Sequence, residues 1–235
     1  MIFRRYPVRL LALDTSSAHC SAALLLDGEV AQRLEPAQRR HGELILAMME
    51  GLLAAAGLRP VDVDAYAFAH GPGSFTGLRI AAAVVQGAAL AADRPVVGVS
   101  TLAALAQGCR REGGAERVLC ALDARMGEVY FGAYAADARG LMRPLGEDRV
   151  CPPSMAVAPG AGARVGPWRA AGSGWAAHGD ALRAACGCAL AAIDAERPCE
   201  ARDVAVLAAD AFAAGQAVDA ADAVPVYLRD RVTST

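Results

Sequence analysis

The chain is 235 residues long, 55% hydrophobic and carries a formal net charge of −2. It therefore holds enough apolar mass for a sizeable core, which excludes disorder, and it lacks the basic footprint of a protein that grips nucleic acid unaided. Its longest apolar run, Ile80 to Ala92, contains Gln86 and falls short of the roughly 20 residues a membrane span needs, so it reads as a core helix.

In chain order, Arg9–Asp14 is a short apolar run ending in a carboxylate, followed by Thr15-Ser16-Ser17. Its apolar part, Leu10–Leu13, is cut off by Asp14 too early for a secretory signal. Cys20–Leu26, the turn dipeptide Asp27-Gly28 and Glu29–Leu34 spell a β-hairpin. His41–Ala56 reads as a helix, with Ile45, Met49, Leu52, Leu53 and Ala56 at helical spacing and Gly57 at the stop. Leu44, Leu46 and Met48 widen its apolar face beyond what one sheet needs, so this helix is either deeply buried or meets a second partner. Ala65–Ala69 is a strand. A glycine turn, a helix running to Ala92, a strand at Pro95–Ser100 and a helix at Thr101–Arg111, capped by Ser100 or Thr101, come next. Three antiparallel strands feeding a β-α-β unit make an α/β fold, the ribonuclease-H-like half of the actin/Hsp70/sugar-kinase architecture.

The second half echoes the first. Val118–Asp123 restates the opening strand, Ala124–Gly127 is a turn, and Glu128–Ala135 alternates as a strand before a hairpin at Asp137–Gly140. Such a repeat marks a duplicated domain. The repeat then decays: Pro144–Gly166 is rich in Pro, Gly and Ala and shows no period. A second glycine turn, Gly172-Ser173-Gly174-Trp175, precedes a helix to Cys186; Arg202–Ala214 is a helix, and Ala223–Asp230 is extended. The expected lobes are 1–108 with 201–235, and a degenerate one over 109–200.

Two stretches carry candidate chemistry. Asp14-Thr15-Ser16 at a strand end is a phosphate-binding hairpin, with the Asp positioning magnesium, or else a plain Asx or Ser/Thr turn. In the repeat, Asp123 is followed by Ala124-Arg125-Met126, without hydroxyls, so the second copy is eroded. The loop from Gly71 to Gly77 aims backbone N–H groups at an anion or packs a helix closely on its neighbours. Leu78 stands where the Walker pattern needs Lys, and Thr76 where the dinucleotide pattern needs Gly, which moves the weight to packing. Arg79 meets a phosphate, an acidic partner or only solvent. His19, His41, His70 and His178 form no metal-ligand spacing, and G-x-S-x-G is absent around Ser74. The seven cysteines are odd in number and scattered; Cys186 and Cys188 make a C-x-C without a second pair, so they read as thiols of a reducing cytoplasm.

The segments LLALDTSS, AHGPGSFTGLRIAAAVVQGAALA, VGVSTLAALAQG, ALDARMGEVYFGAY, GSGW and VPVYLRD together resemble the TsaB family, once called YeaZ, over essentially the whole chain. The resemblance implies the duplicated actin/Hsp70-like fold and a partnership with TsaD. That paralogue carries the catalytic metal and transfers a threonylcarbamoyl group from an adenylate to an adenosine beside the tRNA anticodon. TsaB lacks the metal motif and serves as a dimerising partner without catalytic residues; the ATPase TsaE completes the assembly, and TsaB alone forms a homodimer. The resemblance further implies tRNA contact only through the complex, no cofactor bound by this chain alone, and room for an adenine nucleotide at the interface with TsaD. The family's pairing surface lies on its first two helices, here His41–Ala56 and Thr76–Ala92. The implied contact residues are His41, Leu44, Ile45, Met48, Met49, Leu52, Phe75, Arg79 and Val84. Asp14, Thr15, Ser16, Gly71 and Gly73 are left as a vestigial nucleotide cleft. The rival from another class is a self-sufficient ATPase or phosphotransferase acting through Asp14, Thr15 and Ser16; a peptidase lacks both nucleophile and metal.

Overall fold

The computed structural model describes residues 8–37, 39–160 and 167–229. The chain divides into two compact units, Met1–Ala104 with Cys199–Val226, and Leu105–Pro198 with Tyr227–Thr235.

The first unit is built on a sheet in the order β3-β2-β1-β4-β5. Its strands are β1 (Leu10–Asp14), β2 (His19–Leu26), β3 (Glu29–Pro36), β4 (Ala65–Gly71) and β5 (Val96–Ser100). β1, β2 and β3 are antiparallel neighbours, whereas β4 runs parallel to β1 and β5 parallel to β4. The hairpin between β2 and β3 turns on Asp27 and Gly28, both left-handed at φ 51° and 82°. That geometry matches the twist of the strands and explains the dipeptide.

All five residues of β1 are buried, as expected of a strand covered on both faces. On one face lie α1 (His41–Ala55) and α2 (Phe75–Ala92), whose Ile45, Met48, Leu52, Ala81 and Val85 join Leu11, Leu13, Tyr66 and Phe68 in one core. α2 begins at Ser74, whose hydroxyl accepts from Gly77 N at 3.3 Å. It is the one described helix long and apolar enough to cross a membrane by length and composition, but its apolar side lies on the sheet. α5 (Ala201–Ala213) packs against β1, β2, β4 and β5. Its start is tied down by Ala201 N donating to Ser21 Oγ at 2.9 Å and Arg202 N donating to Gln32 Oε1 at 2.9 Å.

α3 (Thr101–Gly113) follows β5 and carries the chain into the second unit. Ser100 Oγ caps it by accepting from Ala103 N at 3.3 Å. The second sheet has the order β11-β10-β6-β7-β8, with β9 also paired to β7. Its strands are β6 (Arg117–Arg125), β7 (Glu128–Ala136), β8 (Met142–Pro144), β9 (Arg149–Cys151), β10 (Trp168–Ala171) and β11 (Leu190–Asp194). β6 and β7 are antiparallel, while β10 runs parallel to β6 and β11. Matching β6 to β1, β7 to β2, β10 to β4 and β11 to β5 reproduces the first sheet strand for strand. The fold is therefore a duplicated ribonuclease-H-like α/β fold of the actin and sugar-kinase kind.

α4 (Gly174–Cys186) covers the core of Leu119, Phe131, Trp168, Trp175 and Leu182. Gln107 of α3 clamps a turn by donating to Gly140 O at 3.3 Å and accepting from Met142 N at 2.9 Å. The second half is degenerate where α1 has no counterpart. Among the described residues, only a single 3₁₀ turn, Pro153–Met155, lies between β9 and β10. Pro152, Pro153 and Pro159 forbid a helix there. β8 to β11 have no signal in the sequence reading. Residues 161–166 of the stretch without a period, and the chain beyond Arg229, lie outside the described residues.

Candidate functional site

β1 ends in Asp14, and the chain turns through Thr15 and Ser16 beneath the loop that joins β4 to α2. The two segments lock together through their backbones. Thr15 Oγ1 donates to Gly77 O at 2.7 Å, and Ser74 N donates to Ser16 O at 2.8 Å. A Cβ on Gly77 would overlap the Thr15 carbonyl oxygen, and one on Gly73 would lie 2.7 Å from Ser16 O. Gly71 has φ 127° and presses against Val226, whose N–H donates to His70 O at 2.8 Å. The glycines thus let backbone meet backbone, and the Thr15 hydroxyl is consumed inside the contact. A phosphate cradle needs those groups turned outward.

Asp14 is fully buried. Its Oδ1 accepts from Ser16 N at 3.1 Å, while Oδ2 and the buried Ser16 hydroxyl find no conventional hydrogen-bond partner among the described residues. The Cys199 thiol lies beside it. His41 Nε2 is 2.8 Å from Ser17 O. Because a carbonyl only accepts, that nitrogen carries the proton. Burial raises the Asp14 carboxyl to about 6, against the opposing pull of Ser16, the Cys199 thiol and the His41 charge. No group of three His, Cys, Asp or Glu fit to hold a metal occurs among the described residues. A single enclosed carboxyl does not supply the oxygen-rich shell magnesium takes.

This burial has a pH signature. The folded carboxyl holds its proton up to about pH 6, whereas the unfolded one loses it near pH 3.8. Between those values the native state binds more protons, so stability falls as pH rises through the window. The penalty present above pH 6 is on the order of 3 kcal/mol. Asp14→Asn should therefore melt above wild type at pH 8, with the gap closing toward pH 4. Melts of both proteins across that range check it, and a gap independent of pH would contradict it.

The second unit repeats the arrangement in weaker form. Gly172, at φ 102°, and Gly174 press on Ala121 of β6, and Asp123 N donates to Ser173 Oγ at 3.2 Å. Asp123 is paired locally, accepting from Arg125 N at 2.9 Å and lying 3.0 Å from Arg125 Nη1. In the first unit the glycine loop packs on the turn just after Asp14, and in the second it packs on Ala121, two residues before Asp123.

The residues expected on a partner surface separate into four groups. Ile45, Met48, Met49 and Leu52 are buried at 0%, 3%, 8% and 6% exposure in the first unit's own core. They offer no surface, and the breadth of the α1 apolar face is explained by α1 meeting the sheet and α2 at once. His41 belongs to the Asp14 turn. Leu44 and Val84 are half-buried at the margin of the core. Phe75 and Arg79 are exposed and stacked, with the guanidinium 3.9 Å from the ring centroid. Leu46 on α1 and Leu90 on α2 are also exposed. Sequence reading missed Cys199 and Val226, which reach Asp14 and Gly71 from far along the chain and belong to no local pattern.

Residues 35–232 match the family model of TsaD, tRNA N6-adenosine threonylcarbamoyltransferase. The chain is 41% identical over 225 residues to the tRNA threonylcarbamoyladenosine biosynthesis protein TsaB of Escherichia coli, covering 96% of each. It is similar to two solved structures from Pseudomonas aeruginosa, one named YeaZ and the other an uncharacterized protein with similarity to peptidase YEAZ. Both are 45% identical and are covered in full by 94% of this chain, with TM-scores of 0.86 and 0.88.

Proposed function

The chain belongs to the TsaB family, and from that membership we propose that it acts in tRNA threonylcarbamoyladenosine synthesis as an accessory subunit supporting a TsaD-type transferase. The observation that carries the accessory role is the closed contact between the Thr15–Ser16 turn and the Gly73–Gly77 loop. It spends on internal packing the hydroxyl and backbone groups a phosphotransferase would offer to a substrate.

The partner surface lies on the outer sides of α1 and α2, around Leu46, Phe75, Arg79 and Leu90, rather than on the buried methionines. Exposed leucine and a phenylalanine stacked on arginine suit the centre of a protein interface. The same surface pairs two copies when the transferase is absent. A TsaE-type ATPase completes the assembly, tRNA is met only through the complex, and an adenine nucleotide lies where this chain meets the transferase. The setting is the cytoplasm.

Leu46→Asp with Phe75→Asp should leave the melting temperature within a few degrees of wild type while weakening co-elution with the transferase by at least about ten-fold in affinity. Undiminished co-elution of the double variant would remove this surface from consideration.

A further inference from the structure

One cysteine motif of the sequence, Cys186-Gly187-Cys188, has no part in the function proposed above. It sits where α4 ends and the chain turns toward β11. Cys186 is the last residue of the helix, and Gly187 follows in the left-handed conformation at φ 63° and ψ 21°. A residue with left-handed helical angles sets its two neighbours as far apart as residues i and i+2 of a helix, so the cysteine Cα atoms are about 5.4 Å apart. That separation is inside the window a disulfide needs, roughly 4.4–6.8 Å. An extended residue at the glycine would carry the two cysteines to roughly 7 Å, at its outer limit.

The side chains share a neighbourhood as well. Cys186 is buried in the core of the second unit and Cys188 packs against that core. The Cys186 thiol donates to Arg183 O at 3.3 Å, lies 3.7 Å from Cys188 O, and is a hydrogen-bonded neighbour of the Cys188 thiol. Backbone bonds pin the chain on both sides: Ala158 N donates to Cys186 O at 3.2 Å, and Trp168 N donates to Ala189 O at 2.9 Å. Joining the sulfurs therefore asks for side-chain rotation and little movement of the backbone. Access differs between the two thiols. Cys186 is 1% exposed, whereas Cys188 is, among the described residues, the only cysteine that is not buried. A reagent in solvent meets Cys188 first, and Cys186 stands beside it as the resolving thiol. The Cys188 thiol is pushed up to about 12, by burial first and then by Cys186. Its thiolate is scarce at neutral pH, and exchange is slow.

We propose that Cys186 and Cys188 form a reversible dithiol–disulfide pair, oxidised by low-molecular-weight disulfides of the glutathione class. The Cys188 thiolate attacks one sulfur of the small disulfide and expels the first thiolate. The Cys186 thiolate then attacks the Cys188 sulfur and expels the second. The protein gives up two electrons and two protons, and the small disulfide becomes two thiols. The new bond ties the end of α4 to the segment entering β11, and an excess of the same small thiol releases it. In a reducing cytoplasm the bond is transient, and its slow exchange makes it a record of sustained oxidation.

The test incubates the full chain with glutathione disulfide at pH 8, traps the remaining thiols with N-ethylmaleimide in denaturant, and locates the bond by fragment-ion mass spectrometry. The expected product carries one bond, between Cys186 and Cys188, with no glutathione attached, and reduced glutathione removes it. Cys186→Ala, which leaves Cys188 without a resolving thiol, should accumulate glutathione on Cys188. Cys188→Ala should take up none and form no bond at this turn. Should Cys186→Ala melt early, Cys188→Ala, altered at the partly exposed position, still decides. Oxidation of the wild-type chain should quicken about ten-fold per pH unit between roughly pH 7 and 9, as the thiolate fraction does below its pKa. The proposal is overturned if both thiols of the wild-type chain stay free, if the bond joins other cysteines, if glutathione remains on Cys188 in the wild-type chain, or if the rate does not depend on pH.

Discussion

Gly77→Ala should be the most damaging one-carbon addition in the molecule. The added Cβ would overlap the Thr15 carbonyl oxygen, and because both atoms are on backbones, no side chain can swing aside. The first turn of α2 would have to lift from the end of β1, taking with it the 2.7 Å hydrogen bond from Thr15 Oγ1 to Gly77 O. The expected loss is about 3 kcal/mol, the upper part of the overpacking range, or a fall in Tm of roughly 6–12 °C for a chain of this size. Gly87→Ala is the matched control. It lies in the same helix with nothing within 4 Å of its added Cβ, so the usual preference of helices for alanine should raise stability by up to about 1 kcal/mol. Thermal melts of the pair separate the two effects. Equal behaviour would mean that the loop does not pack as described.

The second large effect concerns α1. Ile45→Ala should cost about 2–5 kcal/mol, since the side chain is wholly enclosed between the sheet and α2. Met48→Asp should cost more than 3 kcal/mol and leave little folded protein, because a carboxylate would replace a thioether at 3% exposure. Leu46→Ala, one residue from Ile45 but 46% exposed, should change stability by no more than about 0.5 kcal/mol. Denaturant titration of the three variants reads these values directly. The contrast also bears on partner binding. A pull-down that fails with Met48→Asp reports an unfolded subunit, whereas one that fails with Leu46→Asp reports a lost contact.

The residues differ in how openly they declare their places. Asp27-Gly28 announces its hairpin because the left-handed backbone of that turn demands such residues. α1, α2 and α5 are legible from helical spacing. Thr76 and Leu78 rule out the nucleotide fingerprints by themselves, but only the structure shows that Gly73 and Gly77 face the carbonyls of Ser16 and Thr15. β10 (WRAA) and β11 (LAAID) are hidden because alanine has little preference for strands. The direction of the α1 apolar face is hidden for another reason. Apolar residues on a broad helix face look alike whether they meet a neighbouring element or a second protein, and Met48 and Met49 meet their own core. Cys199 and Val226 act at a distance of more than 150 residues in sequence from their neighbours Asp14 and Gly71, which no local periodicity encodes.

The position of α5 has a consequence for how the protein is made. The first sheet is complete once Ser100 has been synthesised, but the helix that covers its second face begins at Ala201, about 100 residues later. At elongation rates of about 5–20 residues per second, that is a wait of roughly 5–20 s. During it Leu10, Ala12, Ala23 and Leu25, buried in the finished molecule, have not all found their final cover. The nascent chain carries an unfinished apolar sheet while its whole second half is translated. This is the interval in which a chaperone, or the growing second half itself, has the most to shield.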